Sequence, residues 1–136
     1  MTDRSAAPGG FAAIRAIDYS VIFVRDMEAM RRFYEDVLGF ALARELSPDW
    51  LEYRIGANTL ALARPRLVPD DAPVPEGTAA LQLAFRVPVE DVDRCAAELE
   101  AKNVAILSPP TDRPFGHRTL FFRDPDGNVL EIYAEI

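Results

Sequence analysis

The chain has 136 residues, 49% of them hydrophobic, and its 15 basic and 22 acidic residues give a formal net charge of -7. This length and apolar content suit one compact domain, or two small modules sharing a core. The acidic balance, without any Lys/Arg run, argues against nucleic acid and anionic lipid as partners.

No apolar run approaches the roughly 20 residues of a membrane span, and the N-terminal stretch lacks the apolar centre of a signal peptide. A cytoplasmic location is expected. The single cysteine, Cys95, excludes an intramolecular disulfide and reads as a small core residue of a helix rather than a nucleophile.

In chain order, residues 1–16 read as a flexible leader, since Met1 to about Ala13 contains Ser, Ala, Pro and Gly with little periodicity. Residues 17–64 read as a first module. Tyr19 to Val24 is a predicted strand, and Asp26 is a helix N-cap ahead of an apolar stripe of Met27, Met30, Phe33, Tyr34, Val37 and Leu38. Gly39 closes that helix as a left-handed C-cap. Strands follow at about Phe40 to Leu46, Trp50 to Ile55 and Thr59 to Arg64, separated by Ser47-Pro48-Asp49 and Gly56-Ala57-Asn58. The unit is βαβββ.

Residues 65–78 carry Pro65, Pro69, Pro73 and Pro75 and read as a linker. In residues 79–136 the order restarts. Ala80 to Val87 is a predicted strand, and Glu90 to Lys102 a helix burying Val92, Cys95, Ala96 and Leu99, with Asn103 at its C-cap. Val104 to Leu107, Arg118 to Arg123 and Val129 to Ala134 supply three more strands. The second half is βαβββ again, and a duplicated module accounts for the order, because pairing two such sheets buries faces that one alone leaves wet.

The terminal segment is the most informative. Phe121-Phe122-Arg123 leads into the turn Asp124-Pro125-Asp126-Gly127-Asn128, and a last strand carries Glu131 among apolar neighbours. By alternation Glu131 shares its face with Val129 and Tyr133, so it lines a cavity or a wet edge, since an unpaired buried carboxylate is strongly disfavoured. Gln82 shares its face with Ala84 and Arg86. Tyr19, Val21 and Phe23 form an aromatic, apolar wall suited to stacking on a planar ligand, although core packing alone selects the same residues. Trp50, Glu52 and Arg54 share one face of the third strand. His117 stands in a loop at the entry to the penultimate strand, where ligand contact and a solvated position are both open readings. Asp124 and Asp126 read as turn-shaping residues that bond their own backbone.

With Val24-Arg25-Asp26-Met27 followed by Arg32-Phe33-Tyr34-Glu35-Asp36-Val37-Leu38-Gly39-Phe40, and Arg123-Asp124-Pro125-Asp126-Gly127-Asn128 followed by Leu130-Glu131, the chain resembles the vicinal oxygen chelate superfamily from Ile17 to Ile136. That superfamily includes lactoylglutathione lyases, bleomycin-binding resistance proteins, fosfomycin-modifying enzymes and extradiol dioxygenases. The resemblance implies an α+β fold in which paired βαβββ modules form a curved, eight-stranded half-barrel with helices on the convex side. It also implies a ligand on the concave side and, at this chain size, a homodimer, with the pocket lying between chains in the resistance proteins.

Enzymes of the superfamily hold a divalent metal at four matching strand positions, which here are Tyr19, Ala61, Gln82 and Glu131. Only Glu131 keeps a usual donor, so no tightly held metal and no other cofactor is expected, and a Tyr19, Gln82 and Glu131 metal trio is the minority reading. Because His117 is the only histidine, one chain cannot supply a two-histidine, one-carboxylate iron site, and extradiol dioxygenase chemistry is not expected.

The reading is a metal-free protein enclosing a small organic molecule, with Tyr19, Phe23, Trp50, Arg54 and Phe122 supplying surface and Gln82, His117 and Glu131 fixing polar groups. The alternative is a lyase or isomerase of the glyoxalase type, either metal-dependent or using Glu131 as general base. A third is a degenerate module acting in regulation or assembly.

Overall fold

The computed structural model describes residues 10–64 and 80–136. The expected linker at 65–78 and most of the expected leader lie outside the described residues. Gly10–Ala13 of that leader forms a short 3-10 turn.

The first module contains β1 (Tyr19–Phe23), α1 (Met27–Arg32), β2 (Leu42–Ser47), β3 (Trp50–Ile55) and β4 (Asn58–Ala63). The second contains β5 (Gln82–Arg86), α2 (Val89–Ala101), β6 (Ile106–Asp112), β7 (His117–Arg123) and β8 (Val129–Glu135). Each module folds as one mixed sheet with the same topology, β1-β4-β3-β2 and β5-β8-β7-β6. In each sheet the first and last strands of the module pair in parallel and the other neighbours pair antiparallel. The eight strands are thus divided between two four-stranded sheets.

Helix α1 starts where expected. Asp26 has extended backbone and its carboxylate accepts the Ala29 amide at 3.1 Å, the capping bond that Asp at this position provides. The predicted single α-helix to Gly39 is corrected in one respect: after Arg32 the chain widens into a π-helical turn over Phe33–Val37, closed by Leu38 N–H donating to Phe33 O at 3.0 Å. This winding leaves Phe33 and the next residue, Tyr34, both buried. Gly39 then turns the chain with φ 74°, a left-handed value that a side chain resists. At the end of α2, Asn103 takes φ 59°, as expected for Asn past a helix end.

The second correction concerns β6, which the sequence pattern stops at Leu107. It runs to Asp112 through Pro109 and Pro110. Proline is tolerated there because β6 is the outer strand of its sheet, and the register with β7 shifts between Ser108 and Thr111.

Strand alternation sorts the side chains into two faces. Ile22, Leu51, Tyr53, Leu60, Leu62, Leu120, Phe122, Leu130 and Ile132 join Met30, Phe33, Tyr34, Val92 and Leu99 of the helices in one buried cluster that spans both modules. The opposite faces carry Tyr19, Phe23, Trp50 and Arg54 in the first sheet and Gln82, His117, Phe121, Glu131 and Tyr133 in the second.

The modules are tied together at the turn between β7 and β8. Asp124 is buried, and its Oδ1 accepts the amides of Asp126 and Asn128 at 3.0 Å each. Its Oδ2 accepts the Asn128 side-chain amide at 2.9 Å and the Tyr34 hydroxyl, from the other module, at 2.8 Å. Asp126 is not a purely local turn residue as expected: its Oδ2 accepts the Arg25 amide at 2.9 Å, and its carbonyl accepts Arg25 Nη1 at 2.7 Å. Phe33 packs against Phe122 at 6.3 Å and Phe40 against Phe85 at 5.6 Å, while Lys102 Nζ donates to Val37 O at 2.8 Å. Burial, and then the Asp124 charge, push the Tyr34 phenol far above its ordinary pKa, so it stays a hydrogen-bond donor.

Two substitutions test this account. Tyr34→Phe removes one buried bond to a carboxylate and is expected to cost about 2 kcal/mol, whereas Asp124→Ala orphans several donors and is expected to cost about 3 kcal/mol or more, both read from urea unfolding. The face assignment predicts a sharper contrast: Phe122→Ala should cost about 3–5 kcal/mol, and its neighbour Phe121→Ala under about 1 kcal/mol. Equal losses for the two phenylalanines would mean that the faces are misassigned.

Candidate functional site

The open face of the second sheet holds a cleft of about 510 Å³. Strand register explains its lining. Ala84 of β5 pairs with Glu131 of β8, Glu131 pairs with Phe121 of β7, and one step along, Tyr133 pairs with Thr119. Arg113, Phe115 and His117 complete the wall from the turn before β7 and the first residue of that strand.

Each polar group in the cleft is held. The Gln82 side-chain amide donates to Glu131 Oε1 at 3.2 Å, which fixes the carboxylate across the parallel β5–β8 pair. The Glu131 carboxylate is therefore oriented by an amide. His117 is packed between two rings, stacked on Tyr133 at 4.8 Å with an interplanar angle of 27° and edge-on to Phe115 at 5.3 Å. It stands as the first residue of β7 rather than in the expected loop. Arg113 Nε donates to Thr119 Oγ1 at 2.9 Å and Nη2 to Ser108 Oγ at 3.3 Å.

The open face of the first sheet is aromatic but shallow. Tyr19 and Trp50 meet edge-to-face at 6.1 Å, and Trp50 Nε1 donates to Glu52 Oε2 at 2.6 Å. Tyr19 and Phe23 are each 50% exposed, too much for core residues. Arg54 is exposed on the same face, opposite Thr59 of β4.

The expected site residues therefore separate into three groups. Gln82, Glu131 and His117 lie together in the second module, and Tyr19, Phe23, Trp50 and Arg54 share the open face of the first. Phe122 is corrected: it is 1% exposed and faces Phe33 in the core, because alternation along β7 sends Phe121, not Phe122, to the side of Glu131. Sequence reasoning missed Arg113, Phe115, Thr119, Phe121 and Tyr133. The period-two pattern through Glu131 contained the signal for Tyr133, and the same count run back along β7 from its pairing with β8 gives Phe121 and Thr119. Nothing in the sequence pattern gives Arg113, whose place depends on how the 113–116 turn folds back.

The four positions that hold metal in related enzymes were tested on their donor chemistry. They offer a phenol packed on Trp50, a methyl group, a neutral amide and a carboxylate already bonded to that amide. Among the described residues no three His, Cys, Asp or Glu side chains converge. This donor set does not fit a tight divalent-metal site. Cys95, half-buried on α2, has its thiol pKa raised by burial and by the nearby Glu98 and Asp91, which disfavours the nucleophilic thiolate. No helix among the described residues is long and apolar enough to cross a membrane.

Comparison with known proteins gives a consistent result. The family model described as Glyoxalase/Bleomycin resistance protein/Dioxygenase superfamily matches residues 16–132. The protein YaeR of Escherichia coli (strain K12), described as uncharacterized, is 30% identical over 128 residues, covering 90% of this chain and 98% of that one. Virulence protein STM3117 of Salmonella typhimurium is 30% identical over 124 residues, covering 88% of this chain and 83% of that one. Its crystal structure superposes with a TM-score of 0.71, covering 90% of this chain and 98% of that one at 28% identity. A glyoxalase/bleomycin resistance protein/dioxygenase from Nocardioides shares the fold at a TM-score of 0.78 and 24% identity, covering 98% of this chain and 89% of that one.

Proposed function

Because the chain belongs to the glyoxalase/bleomycin resistance protein/dioxygenase superfamily, yet carries donors that do not suit its metal, we propose that it binds a small organic molecule without metal in the cleft of its second module. The observation that carries this reading is the cleft itself. About 510 Å³ of space is walled by Phe121, Tyr133 and His117 and contains one carboxylate, Glu131, oriented by Gln82. Such a volume suits a ligand of one or two rings, with aromatic walls for its faces and a few fixed polar groups for its orientation.

The half-exposed Tyr19 and Phe23, with Trp50 beside them, form an aromatic face that a lone chain leaves in water. The reading is that a second copy of the chain covers the cleft with this face, giving a homodimer with two enclosed sites. A single cysteine, which precludes an intramolecular disulfide, suits the cytoplasm.

One observation favours a second reading, a glyoxalase-type lyase or isomerase. Glu131 Oε2 accepts no hydrogen bond from the described residues, which leaves it available to take a proton from a bound substrate.

Binding is tested with a library of small aromatic compounds and antibiotics followed by thermal shift. Gln82→Ala and Glu131→Ala are expected to weaken a hit about tenfold while leaving unfolding within about 1 kcal/mol of the parent. Added nickel, zinc, manganese or iron should not stabilise the protein, and a saturable shift lost in Glu131→Ala would restore the metalloenzyme reading. Sedimentation velocity should show a dimer that Phe23→Asp converts to monomer; a monomeric parent would remove the second copy from the site.

A further inference from the structure

The cleft wall contains a positive charge, Arg113, that forms no ion pair among the described residues. Arg113 is partly buried in its wall, and both of its bonds go to neutral hydroxyls, Thr119 Oγ1 at 2.9 Å and Ser108 Oγ at 3.3 Å. Thr119 is 1% exposed, so the guanidinium is anchored to a rigid point of β7.

Each carboxylate near it bonds another side chain. Asp112 is held by Arg118 at 2.6 Å, Glu135 by Arg86 at 3.1 Å, and Glu131 by the Gln82 amide at 3.2 Å. Among the described residues, Arg113 makes no ion pair closer than 4.0 Å. With Nε and one Nη2 proton engaged, Nη1 of this partly buried guanidinium has no hydrogen-bond partner among the described residues. Guanidinium donors of this kind recognise carboxylates and similar planar anions better than any neutral group.

Strand register places this charge relative to Glu131. Thr119, which anchors Arg113, pairs with Tyr133, and the next residue pair on the same face is Phe121 with Glu131. Two residues along a strand are about 7 Å. The two anchoring positions are therefore about 7 Å apart along β7, and the cleft lining brings together this cation, the Glu131 carboxylate and the rings of Phe121 and Tyr133.

We propose that the ligand of this cleft is a small aromatic acid whose carboxylate is bound by Arg113 and whose far end carries a hydrogen-bond donor facing Glu131. The proposal rests on the cleft being the binding site and adds the ligand's chemical class. Like charge forbids the reverse orientation, because a carboxylate set against Glu131 meets another carboxylate. A ligand bearing only neutral groups leaves the guanidinium unmatched.

The test compares 4-hydroxybenzoate with 4-hydroxybenzamide, which has the same ring and hydroxyl but no charge, by titration followed in amide NMR spectra. The parent protein is expected to bind the acid about tenfold tighter than the amide, with shifts at Thr119, Phe121 and Tyr133. Arg113→Gln should abolish that preference, and added salt should narrow the gap in the parent alone. If both compounds shift the cleft residues equally in the parent, or the preference survives in Arg113→Gln, the anion site is overturned and the cleft stands. If neither compound shifts those residues up to about 10 mM, where even contacts of a few kcal/mol would register, both the cleft reading and the aromatic-acid class fall.

Discussion

The buried carboxylate of Asp124 is the constraint on which the arrangement of the two modules depends. A charge removed from water is tolerable only when its lone pairs are occupied, and here four donors occupy them, three from its own turn and one from Tyr34 of the other module. Because the Tyr34 hydroxyl must reach that carboxylate, the first helix cannot move independently of the β7–β8 turn. Arg25, bonded to Asp126 through both its backbone and its side chain, fixes the same junction from the strand end that precedes the helix. Phe33 against Phe122 fills the space beneath with apolar surface. The polar bonds give the junction its geometry, and the surrounding core supplies most of its stability.

This junction has a consequence for the site. The helices and the inward strand faces make one shared core, so among the described residues no helix or strand covers the other face of each sheet. In the second module that face is shaped into a cleft by the 113–116 turn and the rings of His117 and Tyr133. In the first it remains a shallow aromatic surface around Tyr19 and Trp50. The polar chemistry is concentrated on one side, where Glu131, Gln82, His117 and Arg113 stand within a few strand positions of each other. Each is oriented by a bond or a ring contact within the chain.

The donor set differs from that of the superfamily's metal enzymes at single positions. Tyr19 and Ala61 stand where donors occur in related enzymes, and Gln82 turns its amide onto Glu131. A neutral amide that donates to the remaining carboxylate stabilises its charge without any cation. The site is thereby organised around hydrogen bonds and aromatic surface.

The sequence by itself determined the duplicated βαβββ order, the capped start of the first helix, the turn chemistry around Asp124 and the face on which Glu131 and Gln82 stand. All of these are set by local rules, such as side-chain period, capping and turn preference, that act over a few residues. It misplaced Phe122, because two adjacent phenylalanines satisfy either face and only the pairing of β7 with β8 decides which one looks inward. It ended β6 at Leu107, because proline is admitted only on an outer strand and strand order is not a local property. It read Asp126 as local, because its bond to the Arg25 amide joins residues 101 positions apart. Arg113 was invisible for a different reason: its bonds to Ser108 and Thr119, five and six positions away, form only once the 113–116 turn lays β6 against β7. Local preference wrote the elements and the face on which Glu131 stands, and strand pairing decided which other side chains share that face.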